Sequence, residues 1–127
     1  QYQEFSGKYI AEMCSAITEA PVTVFAKGAW FALEDFAKTE CQVIGLDWNM
    51  NPAQSRQLVG DSKALQGNLD PCALYAPTDF IRQETTEMLR AFGSKHIANL
   101  GHGVYPDTPL DGVRCFVDTV QAFRYDG

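Results

Sequence analysis

The chain has 127 residues, 46% of them hydrophobic and 20% charged, enough for the core of one domain and too few for two. Ten Lys and Arg stand against sixteen Asp and Glu, a formal net charge of -6, which argues against nucleic acid as the partner, because neutralising phosphates needs a basic face. No apolar run nears the roughly 20 residues of a membrane-crossing helix, so no membrane partner is expected, and Gln1 to Lys8 lack the basic-then-apolar pattern of a signal peptide.

Tyr9, Ile10, Met13, Cys14 and Ile17 form the stripe of an amphipathic helix and predict one over residues 4–19, stopped by Pro21. Val22 to Ala26 is β-branched and aromatic and reads as a strand buried on both faces. A helix over Phe31 to Thr39 and a second buried strand, Gln42 to Leu46, follow. Asn51 caps a short helix with Pro52 at its first position, and Gly60 closes it. Ala64 to Asn68 is the third strand. Thr78 is then expected to cap a longer helix carrying Phe80, Ile81, Met88, Leu89 and Phe92, ended by Gly93. His96 to Leu100 is the fourth strand, and Thr108-Pro109 opens a last helix with Val113, Phe116, Val117, Val120 and Phe123 on one side.

The pattern is one helix followed by four strand–helix units. Doubly buried strands separated by helices mean a parallel sheet, because only a helical crossover returns the chain in the same direction. No G-x-G-x-x-G follows the first strand, which lowers a dinucleotide-binding doubly wound sheet against an arc of a (β/α)8 TIM barrel. A whole barrel takes about 250 residues, so residues 1–127 read as part of a single barrel domain. An arc alone leaves two strand edges unpaired. With a first residue other than Met, the chain is expected to be a processed or cut piece.

Cys14, Cys41, Cys72 and Cys115 lie 27, 31 and 43 positions apart with no C-x-x-C pair, so neither zinc nor disulfides are expected. All four are expected to be buried reduced thiols, pointing to a reducing compartment.

In parallel α/β architectures ligands bind beyond the carboxyl ends of the strands. Those ends are Lys27 to Trp30, Asp47 to Met50, Asn68 to Cys72 and Gly101 to Asp107. His102, between Gly101 and Gly103, suits proton transfer or carboxylate binding, with glycines that permit close approach of a ligand; a loop histidine capping the last helix is the equal alternative. Asp47 and Asp70 read as caps before acid–base groups. Lys27 reads as an exposed rim lysine, Trp30, Phe31 and Trp48 as packing residues. His96, at the start of its strand, reads as structural.

Phe25-Ala-Lys-Gly-Ala29, Val43-Ile-Gly-Leu-Asp-Trp48, Leu65-Gln-Gly-Asn-Leu-Asp-Pro-Cys-Ala-Leu-Tyr75 and Ile97-Ala-Asn-Leu-Gly-His-Gly-Val-Tyr-Pro-Asp107 resemble the uroporphyrinogen decarboxylase family, its animal-type members most. The blocks run in order over nearly the whole chain and match the C-terminal portion, the last four βα units of a (β/α)8 barrel. The resemblance implies a carboxy-lyase, paired as a homodimer, that removes the four acetate carboxyl groups of uroporphyrinogen, a tetrapyrrole, to give coproporphyrinogen in haem biosynthesis. It implies no metal or organic cofactor, since a protonated pyrrole can take up the electrons released with carbon dioxide. His102 matches the family's active-site histidine and is implied to be both catalytic and substrate-binding, orienting carboxylates rather than acting as sole proton donor. The family's arginine motif, its pyrrole-binding aspartate, and a tyrosine and a serine match nothing here, so the isolated chain is expected to be inactive. A cytoplasmic location is expected from the thiols and the resemblance.

Two other readings remain. Related barrels include zinc-dependent methyltransferases, whose metal needs a histidine and cysteines at strand ends; here the first strand ends in Ala26-Lys27-Gly28 and the last in Gly101-His102-Gly103. The non-enzyme reading is an inactive half-barrel stabilised by self-association.

Overall fold

A computed structural model describes residues 1–126. Four strands, β1 (Thr23–Val24), β2 (Val43–Gly45), β3 (Ala64–Leu69) and β4 (His96–Leu100), form one parallel sheet in the order β1-β2-β3-β4. The helices α1 (Lys8–Ala16), α2 (Leu33–Lys38), α3 (Pro52–Val59), α4 (Thr78–Phe92) and α5 (Leu110–Ala122) precede, separate and follow them. Short 3-10 turns at Trp30–Ala32 and Pro71–Tyr75 lie ahead of α2 and α4. Strands that pair strictly in chain order with helical crossovers make the arc of a barrel, as the sequence pattern predicts.

The strands are not equally covered on both faces, contrary to the sequence expectation. Val24, Ile44 and Leu65 are in register and buried beneath the helices, in a core with Leu33, Phe36, Ile81, Leu89 and Phe92. The opposite, concave face carries Phe25, Gly45, Gln66, Ile97 and Asn99, of which Phe25, Ile97 and Asn99 are exposed. Apolar composition signals that a side chain will be covered; it does not say that the cover lies among these residues. β1 and β4 are both edges, each with one neighbour.

The first helix departs further from expectation. Residues 3–7 form a π turn that runs into α1, and the helix ends at Ala16 with an extended Ile17 as its C-cap, before Pro21 is reached. Cys14 alone of its stripe is fully buried, with Ile10 half-buried; Tyr9, Met13 and Ile17 face outward. Thr78 and Thr108 cap nothing: Pro77 and Pro109 hold the cap positions, their fixed φ setting the helix entry, and the Thr108 hydroxyl donates to the Tyr105 carbonyl at 2.7 Å. Asn51 does cap α3, accepting from the Gln54 N–H at 2.9 Å. All four cysteines are free and three are buried; Cys72, on the turn after β3, is exposed because that turn's buried positions go to Pro71 and Leu74.

Where the strands begin, side chains are spent on backbone carbonyls. The Arg56 guanidinium donates to the carbonyls of Phe92, Gly60, Lys63 and Lys95 at 2.6 to 3.3 Å, tying α3 to the end of α4 and the starts of β3 and β4. The buried Lys63 ammonium donates to Thr39 and Cys41, and Lys95 to Asp61. His96 is structural, as expected: it stacks on Phe92 with ring centroids 4.1 Å apart, and its Nε2–H donates to the Gly67 carbonyl. Burial, against the pull of that carbonyl and with help from Arg56, lowers its pKa and keeps it neutral.

Candidate active site

At the other ends of the strands the loops meet through backbone groups. Asp47, buried after β2, accepts from the Gly28 N–H at 2.9 Å through Oδ2 and from the Trp48 N–H through Oδ1, so it joins the loop after β1 to its own. Both oxygens accept backbone N–H groups, which supports the cap reading over acid–base work. Asn68 donates through Nδ2 to the carbonyls of Asp47 and Met50 at 2.8 and 2.7 Å. Asp70 caps the turn after β3, accepting from the Cys72 N–H. The Tyr75 hydroxyl donates to Asp107 at 2.6 Å, fastening that turn to the loop after β4; this bond is the first cause of a raised Tyr75 pKa.

His102 sits on the same rim. A Cβ on Gly101 would lie 2.3 Å from the Trp48 nitrogen, so the loop after β4 presses on the turn after β2 at that point. Gly101 therefore admits neighbouring backbone rather than a ligand, while Gly103 faces open space. The half-buried His102 imidazole donates from Nδ1–H to the Gly103 carbonyl at 2.8 Å and meets Tyr105 edge-on at 5.8 Å between centroids. Donation from Nδ1 leaves Nε2 as the acceptor of the neutral ring, or as a second donor once protonated.

His102 lines a 210 Å³ pocket on the concave face with Phe25, Gly45, Gln66, Asn99 and the flanking glycines. Sequence reasoning missed Gln66 and Asn99 as site residues; strand alternation, applied to the face opposite Leu65, was the signal that could have found them. Lys27 is exposed on the rim, as expected. Trp30, Phe31 and Trp48 are about half exposed or more, at 63%, 57% and 48%, and are not the packing residues their size suggested.

A larger groove, 550 Å³, opens on the helix side between α3 and α4, lined by Trp48, Met50, Phe80, Met88 and the carboxylates of Asp70, Glu84 and Glu87. Those three carboxylates make it a poor receptor for a polyanion. Among the described residues no three His, Cys, Asp or Glu side chains converge as a metal site requires, and no helix is long and apolar enough to cross a membrane.

The family model for uroporphyrinogen decarboxylase (URO-D) matches residues 1–123. The chain belongs to the uroporphyrinogen decarboxylase family. Uroporphyrinogen decarboxylase of Salinibacter ruber is 48% identical over 124 residues, covering 94% of this chain and 35% of that protein. The Christiangramia forsetii enzyme is 42% identical over 125 residues, with 97% and 37% covered. The human enzyme is 48% identical over 107 residues, with 84% and 29% covered. This uroporphyrinogen decarboxylase family chain thus spans about a third of the length of the relatives it matches. Among solved structures a methyltransferase from Methanosarcina mazei superposes with a TM-score of 0.82 over 94% of this chain and 36% of that one; at 22% identity the likeness concerns the fold alone.

Proposed function

We propose that the chain is the C-terminal part of a (β/α)8 uroporphyrinogen decarboxylase and forms one wall of its active site, with His102 as the catalytic, substrate-binding residue. What carries the reading is His102 on the rim at the carboxyl ends of the strands, in a pocket on the concave face, within a chain of this family. In the proposed reaction a proton adds to a pyrrole carbon and makes the ring electron-poor. The bond between an acetate CH2 and its carboxylate breaks, carbon dioxide leaves, and the electron pair enters the ring. A second proton adds at the CH2 carbon to give a methyl group, and the ring proton is released. The net change is one proton taken up per carboxylate lost. His102 Nε2 binds and orients a carboxylate, so that the breaking bond stands across the ring plane; the substrate serves as its own electron sink.

Charge explains why the whole protein is needed. Arg56, Lys63 and Lys95 are committed to carbonyls at the far rim, Lys38, Arg82 and Arg114 are paired with aspartates, and among the described residues Lys27 is the one Lys or Arg in the loops that follow the four strands. A polycarboxylate needs a positive cleft, so the cations must come from the remaining length of the barrel. Homodimer formation and a cytoplasmic location belong to the same proposal. Porphyrin analysis of reaction mixtures tests it: the full-length protein converts uroporphyrinogen to coproporphyrinogen and residues 1–127 alone do not. Product from the isolated chain, or none from the full-length protein, contradicts it.

A further inference from the structure

We infer that Gln66, in the middle of β3, is a further substrate-contacting residue, whose side-chain amide donates a hydrogen bond to a carboxylate arm of the substrate beside the one His102 holds; the inference rests on the functional reading above. In register, Gln66 lies between Gly45 and Ile97 on the concave face, opposite the buried Leu65. Its backbone carbonyl is used, accepting from the Leu46 N–H at 2.8 Å. Its half-buried side-chain amide bonds to no other described residue. Neighbouring amides behave differently: Gln42 holds the Val22 N–H and the Glu40 carbonyl, Asn68 two carbonyls, and Asn99 the Leu100 N–H. An amide that lines the pocket and has no partner within the fold keeps its N–H groups for a ligand that enters.

Its surroundings point to what fills them. Gly45, next to Gln66, has no side chain, and Phe25 occupies the space: a Cβ there would come within 3.0 Å of the Phe25 ring. Gln66 therefore lines one pocket with a half-exposed aromatic ring and with His102. A flat ring on Phe25 brings its acidic arms to the amide. Among the described residues no Lys or Arg lines that pocket, so a carboxylate against this wall is met by neutral donors. A neutral donor also suits a carboxylate that the reaction removes, because an arginine there would be left facing a methyl group with its charge desolvated and unpaired.

The test uses the full-length protein with Gln66→Met, close in shape and without donors, and Gln66→Glu, which sets a like charge against the carboxylate. Steady-state kinetics and thermal melting are read together. Expected is a fall in kcat/KM of about 10- to 100-fold for Gln66→Met, mostly as a rise in KM, with a larger fall for Gln66→Glu. Melting temperatures stay within about 2 °C of wild type. A Gln66→Met enzyme within about twofold of wild type overturns the inference. So does a fall in melting temperature with KM unchanged, the mark of a purely structural amide. A wild-type protein without decarboxylase activity overturns the functional reading and this inference with it, and is told apart from the other failures because there the wild type is active.

Discussion

The two ends of the sheet use the same kinds of residue for different work. Where the strands begin, Arg56, Lys63, Lys95 and His96 are all turned onto backbone carbonyls, and the last is kept neutral by burial. Where they end, Asp47, Asn68 and Asp70 hold the loops together, and His102, Lys27 and the aromatic rings of Trp30 and Trp48 are left facing outward. One rim is finished and the other is available. His96 and His102, six positions apart in sequence, stand at opposite ends of β4: the first is stacked and bonded within the fold, and the second lines a pocket.

Breaking the finished rim has the largest expected effect. Arg56→Met leaves four carbonyls without their donor and should cost about 3 kcal/mol of stability, read as a lower urea midpoint of the full-length protein, with activity per folded molecule kept. Arg56→Lys, which cannot span the same four acceptors, should recover only part of it. On the available rim the order of effects reverses. His102→Asn should lower kcat/KM about 10- to 100-fold with little change in the urea midpoint; a large loss of stability instead would make His102 a second His96.

The smallest effect sharpens the comparison through pH. Because the folded pKa of His96 is lowered, the unfolded chain takes up a proton first as pH falls through its ordinary value of about 6.5. Stability from neutral His96 is therefore complete above that value and declines below it, until the folded pKa is passed. The urea midpoint should drop between about pH 7.5 and about pH 5.5, and the drop should shrink in His96→Gln. An unchanged drop would show that other groups carry the pH dependence.

Much of this was legible in the sequence because periodicity and caps are local. The alternation of helices and strands, the Asn51 cap, the Asp70 turn and the rim position of His102 depend on residues a few positions apart. What was not legible depends on what lies across a face. Tyr9, Met13 and Ile17 are apolar at helical spacing yet exposed, since spacing reports that a stripe exists and not that a partner covers it. Gln66 read as an unremarkable strand residue until its register set it on the concave face. The flanks of His102 misled differently: Gly101 is required by the backbone of Trp48, a contact between loops 53 residues apart in sequence.

The most direct test is a crystal structure of the full-length protein with coproporphyrinogen bound. The account predicts the tetrapyrrole against the concave face, with a carboxylate within hydrogen-bond reach of His102 Nε2. A product molecule seated instead in the acidic groove between α3 and α4, or His102 turned away from it, would contradict the account.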